Sequence, residues 1–177
     1  MRGSGWEIDR IPQVLVGKGL VGLLGLGLVI WLLCEETRGV HFGPASVIGP
    51  AALKVHGVQL ALWGVRQPRV DATCQAGTRR WSCGAYAASA LILSASTRRV
   101  MCFERGLAPD GARAARCYAS NNFVTWKDVG RDLVRGGWAM PDLQVSREYL
   151  PSAAEAEAAG AGLWISDVGT GHPREIE

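Results

Sequence analysis

The apolar residues of this chain are concentrated in one long run near the N-terminus. Residues 14–34 form that run, and Lys18 is its only charged residue. A helix rises about 1.5 Å per residue, so the run would measure about 31 Å, enough to cross the hydrocarbon core of a bilayer. We therefore predict a single membrane-spanning helix over residues 14–34, preceded by a short polar segment, residues 1–13.

Two cleaved signals are alternatives to an anchor for this run. A signal-peptidase site would need small residues of the Ala-x-Ala kind after the run, but Glu35 and Glu36 follow it. A lipoprotein signal would need a small residue before the modified cysteine, but Leu33 precedes Cys34. The sequence therefore favours an uncleaved anchor.

Basic residues flank the predicted span unequally. Arg2, Arg10 and Lys18 lie on its N-terminal side, and Arg38 alone follows closely after it. Positively charged flanks tend to stay in the cytoplasm. We therefore expect a single-pass protein of a bacterial-type inner membrane, with a cytoplasmic N-terminus and a periplasmic C-terminal domain.

Glycine recurs along the predicted span, at positions 17, 19, 22, 25 and 27. Glycine lets membrane helices approach one another closely. No pair has the four-residue GxxxG spacing, so no homodimer motif is predicted. Two interpretations stay open: Gly19, Gly22 and Gly25 pack against another membrane helix, or the anchor merely tolerates glycine.

After the span the pattern changes to short apolar segments separated by turns. Residues 35–45 contain glycine and proline and predict a linker. Short strands are expected at 46–48, 53–55 and 58–65, with a His-Gly turn before the third. The third strand is almost continuously apolar, which predicts burial on both of its faces.

The rest of the chain predicts a polar loop at 67–82, a hairpin with arms at 98–105 and 112–118, and three helices. The helices are expected at 83–97, 125–135 and 151–159. Strands that come first, helices that come late and the absence of a βαβ repeat predict an α+β domain with a small closed sheet. We assign this domain to residues 46–166, followed by an irregular tail, 167–177.

Four of the five cysteines form an even set in the domain predicted to lie outside the cytoplasm. Cys102 and Cys117 sit on the two arms of the proposed hairpin, where cross-strand distances suit a disulfide. Cys74 and Cys83 would then close a short loop before the first helix. A zinc site is the alternative, but the spacings are irregular and the histidines do not cluster with the cysteines, so we predict no metal and no cofactor.

The net charge of the chain is +3, from 19 basic and 16 acidic residues. This surplus is smaller than the electrostatic footprint of most nucleic-acid-binding domains. An arginine-rich solvated surface explains it without a charged partner.

The order of these motifs resembles the staphylococcal-nuclease-like (thermonuclease) family, an OB-fold barrel with three helices. Trp81-Ser82-Cys83-Gly84 before an alanine-rich helix is similar to the family's W/Y-P-C-G-x-x-A-x-x-A-L, and Val100-x-Cys102 matches the strand that follows. Leu133-Val134-x-x-Gly137-Trp138-Ala139 matches LVxxGWA. Tyr149 lies fifteen residues before Trp164 of a closing Gly-Leu-Trp, as in the family.

The resemblance implies an active site that this chain has lost. Such enzymes bind one calcium ion through acidic residues, use a glutamate as general base and hold the phosphate with two arginines, which together stabilise the charge that develops on phosphorus. The family signature V-x-D-G-D-T-L, a turn glycine and R-L-x-G-I-D-A-P-E align without a gap from Val47. The metal-binding acids then fall on Gly49, Ala51 and Arg66, the first arginine on Ala61 and the general base on Arg69.

The second phosphate-binding arginine belongs to a Y-G-R motif that falls on Asp110-Gly111-Ala112 when counted back from Cys117. Ala112 therefore stands where the arginine should. Arg113 is one residue away, and one residue on a strand faces the other side of the sheet unless a bulge intervenes. A glutamate of the last family helix is likewise replaced, by Ala153. The resemblance thus predicts a nuclease-like domain without catalytic residues.

Three functions follow from this interpretation, and the first is the one expected. An inactive, membrane-anchored domain would act as an accessory or assembly subunit of a membrane complex, with arginine and tryptophan, the residues enriched at binding hot spots, among its contacts. A single-stranded nucleic-acid-binding module is the alternative, because OB barrels bind strands beside basic grooves and Arg66, Arg69, Arg79 and Arg80 lie on the old active-site side. An active nuclease with a site relocated to Asp110 and Arg113 is the least favoured.

Overall fold

A computed structural model of the protein describes residues 39–166, and its centre is a closed five-stranded β-barrel. The barrel strands are β1 (Val40–Gly49), β2 (Ala52–Val55), β3 (Val58–Leu62), β7 (Arg99–Leu107) and β8 (Arg113–Ser120). They pair in the order β3-β2-β1-β7-β8, and a parallel pairing between β3 and β8 closes the circle. This is an OB-like barrel within an α+β domain.

Short strands and three helices complete the domain. The short strands are β4 (Val65–Arg66), β5 (Cys74–Ala76), β6 (Arg79–Trp81), β9 (Lys127–Asp128) and β10 (Met140–Pro141). The helices are α1 (Cys83–Leu91, extended by a π-helical turn over Ile92–Ser96), α2 (Val129–Arg135) and α3 (Leu150–Ala158), and a 3₁₀ turn covers Gly162–Ser166.

The core fills the barrel and the space between the barrel and the helices. Leu53, Val55, Leu60 and Val100 are fully buried barrel residues, and Leu133 of α2 belongs to the same cluster. Burial alternates along β2 and β3, as expected where one face of a strand meets the core and the other meets solvent. The prediction that 58–65 is one strand buried on both faces is therefore wrong.

Other boundaries also differ from those predicted. β1 begins at Val40, so residues 40–45, expected in the linker, pair with β2 or β7 because their backbone continues the barrel ladder. The loop predicted at 67–82 contains the β5–β6 hairpin. The second helix begins at Val129 and not at residue 125. Asp128 is the N-cap of this helix, because its side chain accepts a hydrogen bond from the Arg131 amide.

Two glycines of the quoted motifs are required by close backbone contacts. A Cβ atom at Gly84 would collide with the carbonyl of Arg69. A Cβ atom at Gly137 would collide with the carbonyl of Ala161, and Gly137 also adopts a φ of +72°, which L-residues disfavour. These glycines set how closely α1 and the turn after α2 approach neighbouring segments.

Both predicted disulfides are confirmed. Cys102 and Cys117 are directly paired in the β7–β8 ladder and bonded to each other. Cys74 is bonded to Cys83, which joins β5 to the start of α1. All four cysteines are therefore used structurally, and the alternative of a zinc site is wrong.

Within residues 39–166 no helix has both the length and the apolar character needed to cross a membrane. The predicted span at 14–34, its glycines and the tail at 167–177 lie outside the described residues.

Candidate functional site

A cleft of about 310 Å³ opens beside the closing seam of the barrel. Its floor includes Ala61 of β3 and Ala114 of β8, which are partners across the parallel pairing. The turn after β1, the segment after β3, the β7–β8 turn and the segment after β10 form its walls. Most of the wall side chains are small or apolar: Pro50, Ala51, Leu62, Val65, Ala108, Pro109 and Val145.

The structure brings some, but not all, of the predicted site positions to this cleft. Ala51, Ala61 and Arg66 line it together. Gly49, Arg69 and Ala112 are not among its lining residues. Ala112 lies in the turn before β8, where its amide donates a hydrogen bond to Asp110 Oδ1 at 3.0 Å.

Arg113, next to the position predicted for a second phosphate-binding arginine, is paired with an acidic side chain outside the cleft. Its Nη1 lies 3.3 Å from Glu104 Oε1, and His41 Nε2 lies 2.7 Å from the same oxygen. The hydrogen bond from His41 is the main reason why the pKa of Glu104 is lowered. The strand irregularity in this hairpin falls on β7, between Glu104 and Gly106, and Arg113 does not line the cleft.

We call Arg66 and Arg69, two of the four arginines proposed for nucleic-acid binding, the basic rim, and each is opposed by an aspartate. Arg69 Nε and Nη2 donate hydrogen bonds to the two carboxylate oxygens of Asp71, both at 3.2 Å. This hydrogen bonding raises the pKa of Arg69 and lowers the pKa of Asp71. Arg66 Nε lies 4.0 Å from Oδ2 of the buried Asp142. The rim therefore carries much less net positive charge than its arginines suggest.

The calcium ion implied by the family resemblance does not fit the side chains at this position. Calcium needs six to eight oxygen ligands, several of them carboxylates. Ala51 and Ala61 offer none. The cleft is lined by two carboxylates, Asp110 and Asp142; Asp110 accepts a hydrogen bond from the Ala112 amide, and Asp142 faces Arg66. Among the described residues no group of three or more His, Cys, Asp or Glu side chains is arranged to hold a metal.

Gln67, which lines the cleft, joins three parts of the domain and was not singled out from the sequence. Its Oε1 accepts a hydrogen bond from the Ala51 amide at 2.9 Å. Its Nε2 donates to the carbonyls of Ala87 and Trp138, both at 3.0 Å. The side chain thereby ties the turn after β1 to α1 and to the segment after α2, which holds the cleft wall in place.

A charged network around Arg116 of β8 was also missed. Arg116 Nη2 lies 2.7 Å from Asp128 Oδ2, and Arg116 Nη1 also contacts Glu148. Tyr149 is fully buried and donates its hydroxyl to Asp128. Tyr149 was recognisable only as a spacing marker, because nothing near it in sequence reveals its partners.

Comparison with known proteins finds no matching family model and no matching curated protein.

Proposed function

We propose that this chain is a membrane-anchored, catalytically inactive nuclease-like domain of the staphylococcal-nuclease type, which acts as an accessory or assembly subunit of a membrane protein complex. The observation that carries the proposal is the cleft itself. Ala51, Ala61 and Arg66 share it, at positions where the resemblance would place an acid, a phosphate-binding arginine and another acid.

Phosphodiester hydrolysis by such a site depends on charge stabilisation. The metal and the arginines stabilise the pentacoordinate phosphate, and a carboxylate orients the attacking water. The alanine methyl groups offer neither charge nor hydrogen bonds, and Arg66 adds a positive charge where a cation would have to bind. These replacements support loss of the reaction rather than a change of substrate.

The anchor and the location of the domain rest on the sequence and on the disulfides. The apolar run at 14–34 is long enough to span a bilayer. Disulfide bonds persist in oxidising compartments and are rare in the cytosol, so Cys74–Cys83 and Cys102–Cys117 support an extracytoplasmic domain. A periplasmic domain with a cytoplasmic N-terminus satisfies both observations.

The paired arginines favour this role over nucleic-acid binding. A single-stranded nucleic acid would need basic side chains free to neutralise phosphates along a groove. Of the four arginines considered for such binding, Arg69 is hydrogen-bonded to Asp71 and Arg66 faces Asp142. Arg79 and Arg80 are exposed on β6 but are not among the residues that line the cleft.

Purification from native membranes tests the proposed function. The full chain, tagged at its C-terminus and extracted with a mild detergent, should co-purify with other membrane proteins identifiable by mass spectrometry. A Gly22→Leu variant, which would add bulk to the predicted glycine face, tests whether the association runs through the span. Recovery of the wild-type chain alone and monomeric would contradict an accessory role.

A further inference from the structure

The outer face of the barrel carries an exposed group of apolar side chains at the start of the domain. Val40 pairs with Phe103, and Phe42 pairs with Met101, across the β1–β7 ladder. Since alternate strand residues face the same side, these four side chains lie together on the outside. Tyr118 pairs with Met101 and extends the row onto β8.

The loop after β8 adds further aromatic rings to this surface. The ring centroids of Phe42, Phe123 and Trp126 lie 6.4 Å from one another in all three pairs. Val124, beside them in the loop, is 82% exposed. We call this surface the aromatic face, and its members are Val40, Phe42, Met101, Phe103, Tyr118, Phe123, Val124 and Trp126.

The loop holds Phe123 outward in a strained conformation. Phe123 has a φ of +60° and is 58% exposed. A bulky residue in the left-handed region is a conformational outlier with an energetic cost. Hydrogen bonds maintain it: the Phe123 amide donates to Ser120 Oγ at 3.0 Å, and Trp126 Nε1 donates to the Phe123 carbonyl at 3.2 Å.

The same loop is fixed from within by Asn122. Its Oδ1 accepts hydrogen bonds from the amides of Val124 and Thr125, both at 3.0 Å. An ordered loop that exposes a phenylalanine and a valine gains nothing from this exposure in water, because burial of apolar surface is what stabilises a fold. The arrangement indicates that the aromatic face is covered by something apolar.

The charges around the aromatic face are positive at its margins. Arg99 lies on the same side of β7 as Met101 and Phe103, and exposed Arg105 follows Phe103 at the irregularity of the strand. Exposed Lys127 follows the loop. Asp128 and Glu148 are both paired with Arg116, and Glu104, which follows Phe103 in β7, is paired with Arg113. The Arg116 guanidinium also lies 5.4 Å from the centroid of the Tyr118 ring.

Aromatic rings bordered by arginine and lysine form the composition that favours the headgroup region of a bilayer. Rings with an apolar body settle at this depth, and long basic side chains reach from it to the phosphates. The position in the chain agrees, because the aromatic face begins at Val40, six residues after the end of the predicted span. A fully extended chain of that length reaches about 20 Å.

We propose that the aromatic face rests in the headgroup region of the bilayer that residues 14–34 are predicted to cross. The barrel would then bind the membrane surface directly, in addition to being anchored by the span. This inference rests on the anchor in the proposed function. It identifies the lipid surface as the partner of the aromatic face. Other surfaces of the domain would then bind the protein subunits of the complex.

Tryptophan emission from the full chain in lipid nanodiscs tests the inference. The difference between wild type and Trp126→Phe isolates the Trp126 signal, and the difference from Trp31→Phe isolates a residue of the span. We expect the Trp126 signal to be blue-shifted, to lose most of its intensity when the lipids are brominated near the headgroup, and to resist aqueous iodide. Trp31 should be quenched by brominated lipid as well.

A matched pair of surface variants controls for nonspecific effects. Phe123→Ser should shift the Trp126 emission to the red and make it accessible to iodide. Leu93→Ser removes a side chain of similar exposure, 66%, from another element and should leave the Trp126 signal unchanged. Both variants should keep the two disulfides and the wild-type circular dichroism.

The possible failures point to different conclusions. If iodide quenches Trp126 while brominated lipid quenches Trp31, the aromatic face is not at the bilayer, and the anchor stands. If brominated lipid quenches neither, the anchor fails and the proposed function fails with it. If a photoreactive phenylalanine analogue at position 123 labels a protein instead of lipid in native membranes, the aromatic face is a protein interface and the inference is overturned.

Discussion

The hydroxyl of Tyr149 lies 3.2 and 3.3 Å from the two carboxylate oxygens of Asp128, inside a part of the domain that excludes water. Asp128 also accepts from Arg116 of β8 and caps the first turn of α2. Tyr149 immediately precedes α3. One buried carboxylate therefore joins the barrel to two of its helices.

Removing the Tyr149 hydroxyl should destabilise the domain without changing its fold. A hydrogen bond to a charged group contributes about 1.5 to 3 kcal/mol, so Tyr149→Phe should lower the free energy of unfolding by about that amount. Urea denaturation measures it, with Tyr86→Phe, a change on an exposed ring, as the control. An unfolding midpoint equal to that of wild type would show that the hydrogen bond from Tyr149 to Asp128 does not stabilise the fold.

The same residue predicts how stability depends on alkaline pH. Burial, followed by the nearby charge of Asp128, raises the pKa of Tyr149 far above its ordinary value of about 10. A raised folded-state pKa means that the contribution to stability is complete below pH ~10 and is lost as the pH rises towards the folded-state value. As the pH rises above about 10, Tyr149→Phe should lose less stability than wild type. Parallel curves for the two proteins would contradict the assignment.

Gln67 should matter for the shape of the cleft. Gln67→Ala removes three hydrogen bonds, each contributing about 0.5 to 1.5 kcal/mol, so the free energy of unfolding should fall by roughly 1.5 to 4.5 kcal/mol. Amide exchange at Ala51 should become faster, because its N–H loses its acceptor. Gln75→Ala is the matched control, since that side chain is exposed and bonds only the Gly77 carbonyl within the described residues. Equal losses in the two variants would refute a special role for Gln67.

The two disulfides should each stabilise the domain measurably. In the chain-entropy model a loop of about 15 residues contributes about 3 kcal/mol, so replacing Cys102 and Cys117 by alanine should lower the free energy of unfolding by about that amount. The Cys74–Cys83 pair closes a shorter loop and should contribute slightly less. Mass spectrometry after alkylation of the unreduced full chain should find a single reactive thiol among its five cysteines. Three or more reactive thiols would contradict this pairing.

Local patterns predicted much of the barrel but could not predict how it closes. The β7–β8 hairpin and its disulfide are close in sequence, so turn residues and cysteine spacing revealed them. Closure depends on Ala61 lying beside Ala114, a parallel pairing between distant segments for which neither alanine carries a signal. The true start of β1 at Val40 was hidden because Gly43 and Pro44, which indicate a linker, are accommodated in the strand.

The candidate site was predictable only in part, for a similar reason. Alignment to a family pattern placed Ala51, Ala61 and Arg66 in one site, and the structure brings them to one cleft. The alignment could not show that Asp71 forms an ion pair with Arg69 or that Gln67 connects three segments, because those contacts depend on side-chain geometry. The left-handed conformation of Phe123 is likewise invisible in sequence, since glycine or asparagine is the usual signal for it.

Calcium-dependent hydrolysis of denatured DNA by the purified full chain is the most direct test of the claim that this barrel keeps a nuclease framework without its chemistry. We predict no cleavage above the background of a chain with Ala61→Trp, which would fill the cleft. Calcium-dependent cleavage by the wild-type chain that Ala61→Trp abolishes would contradict the claim.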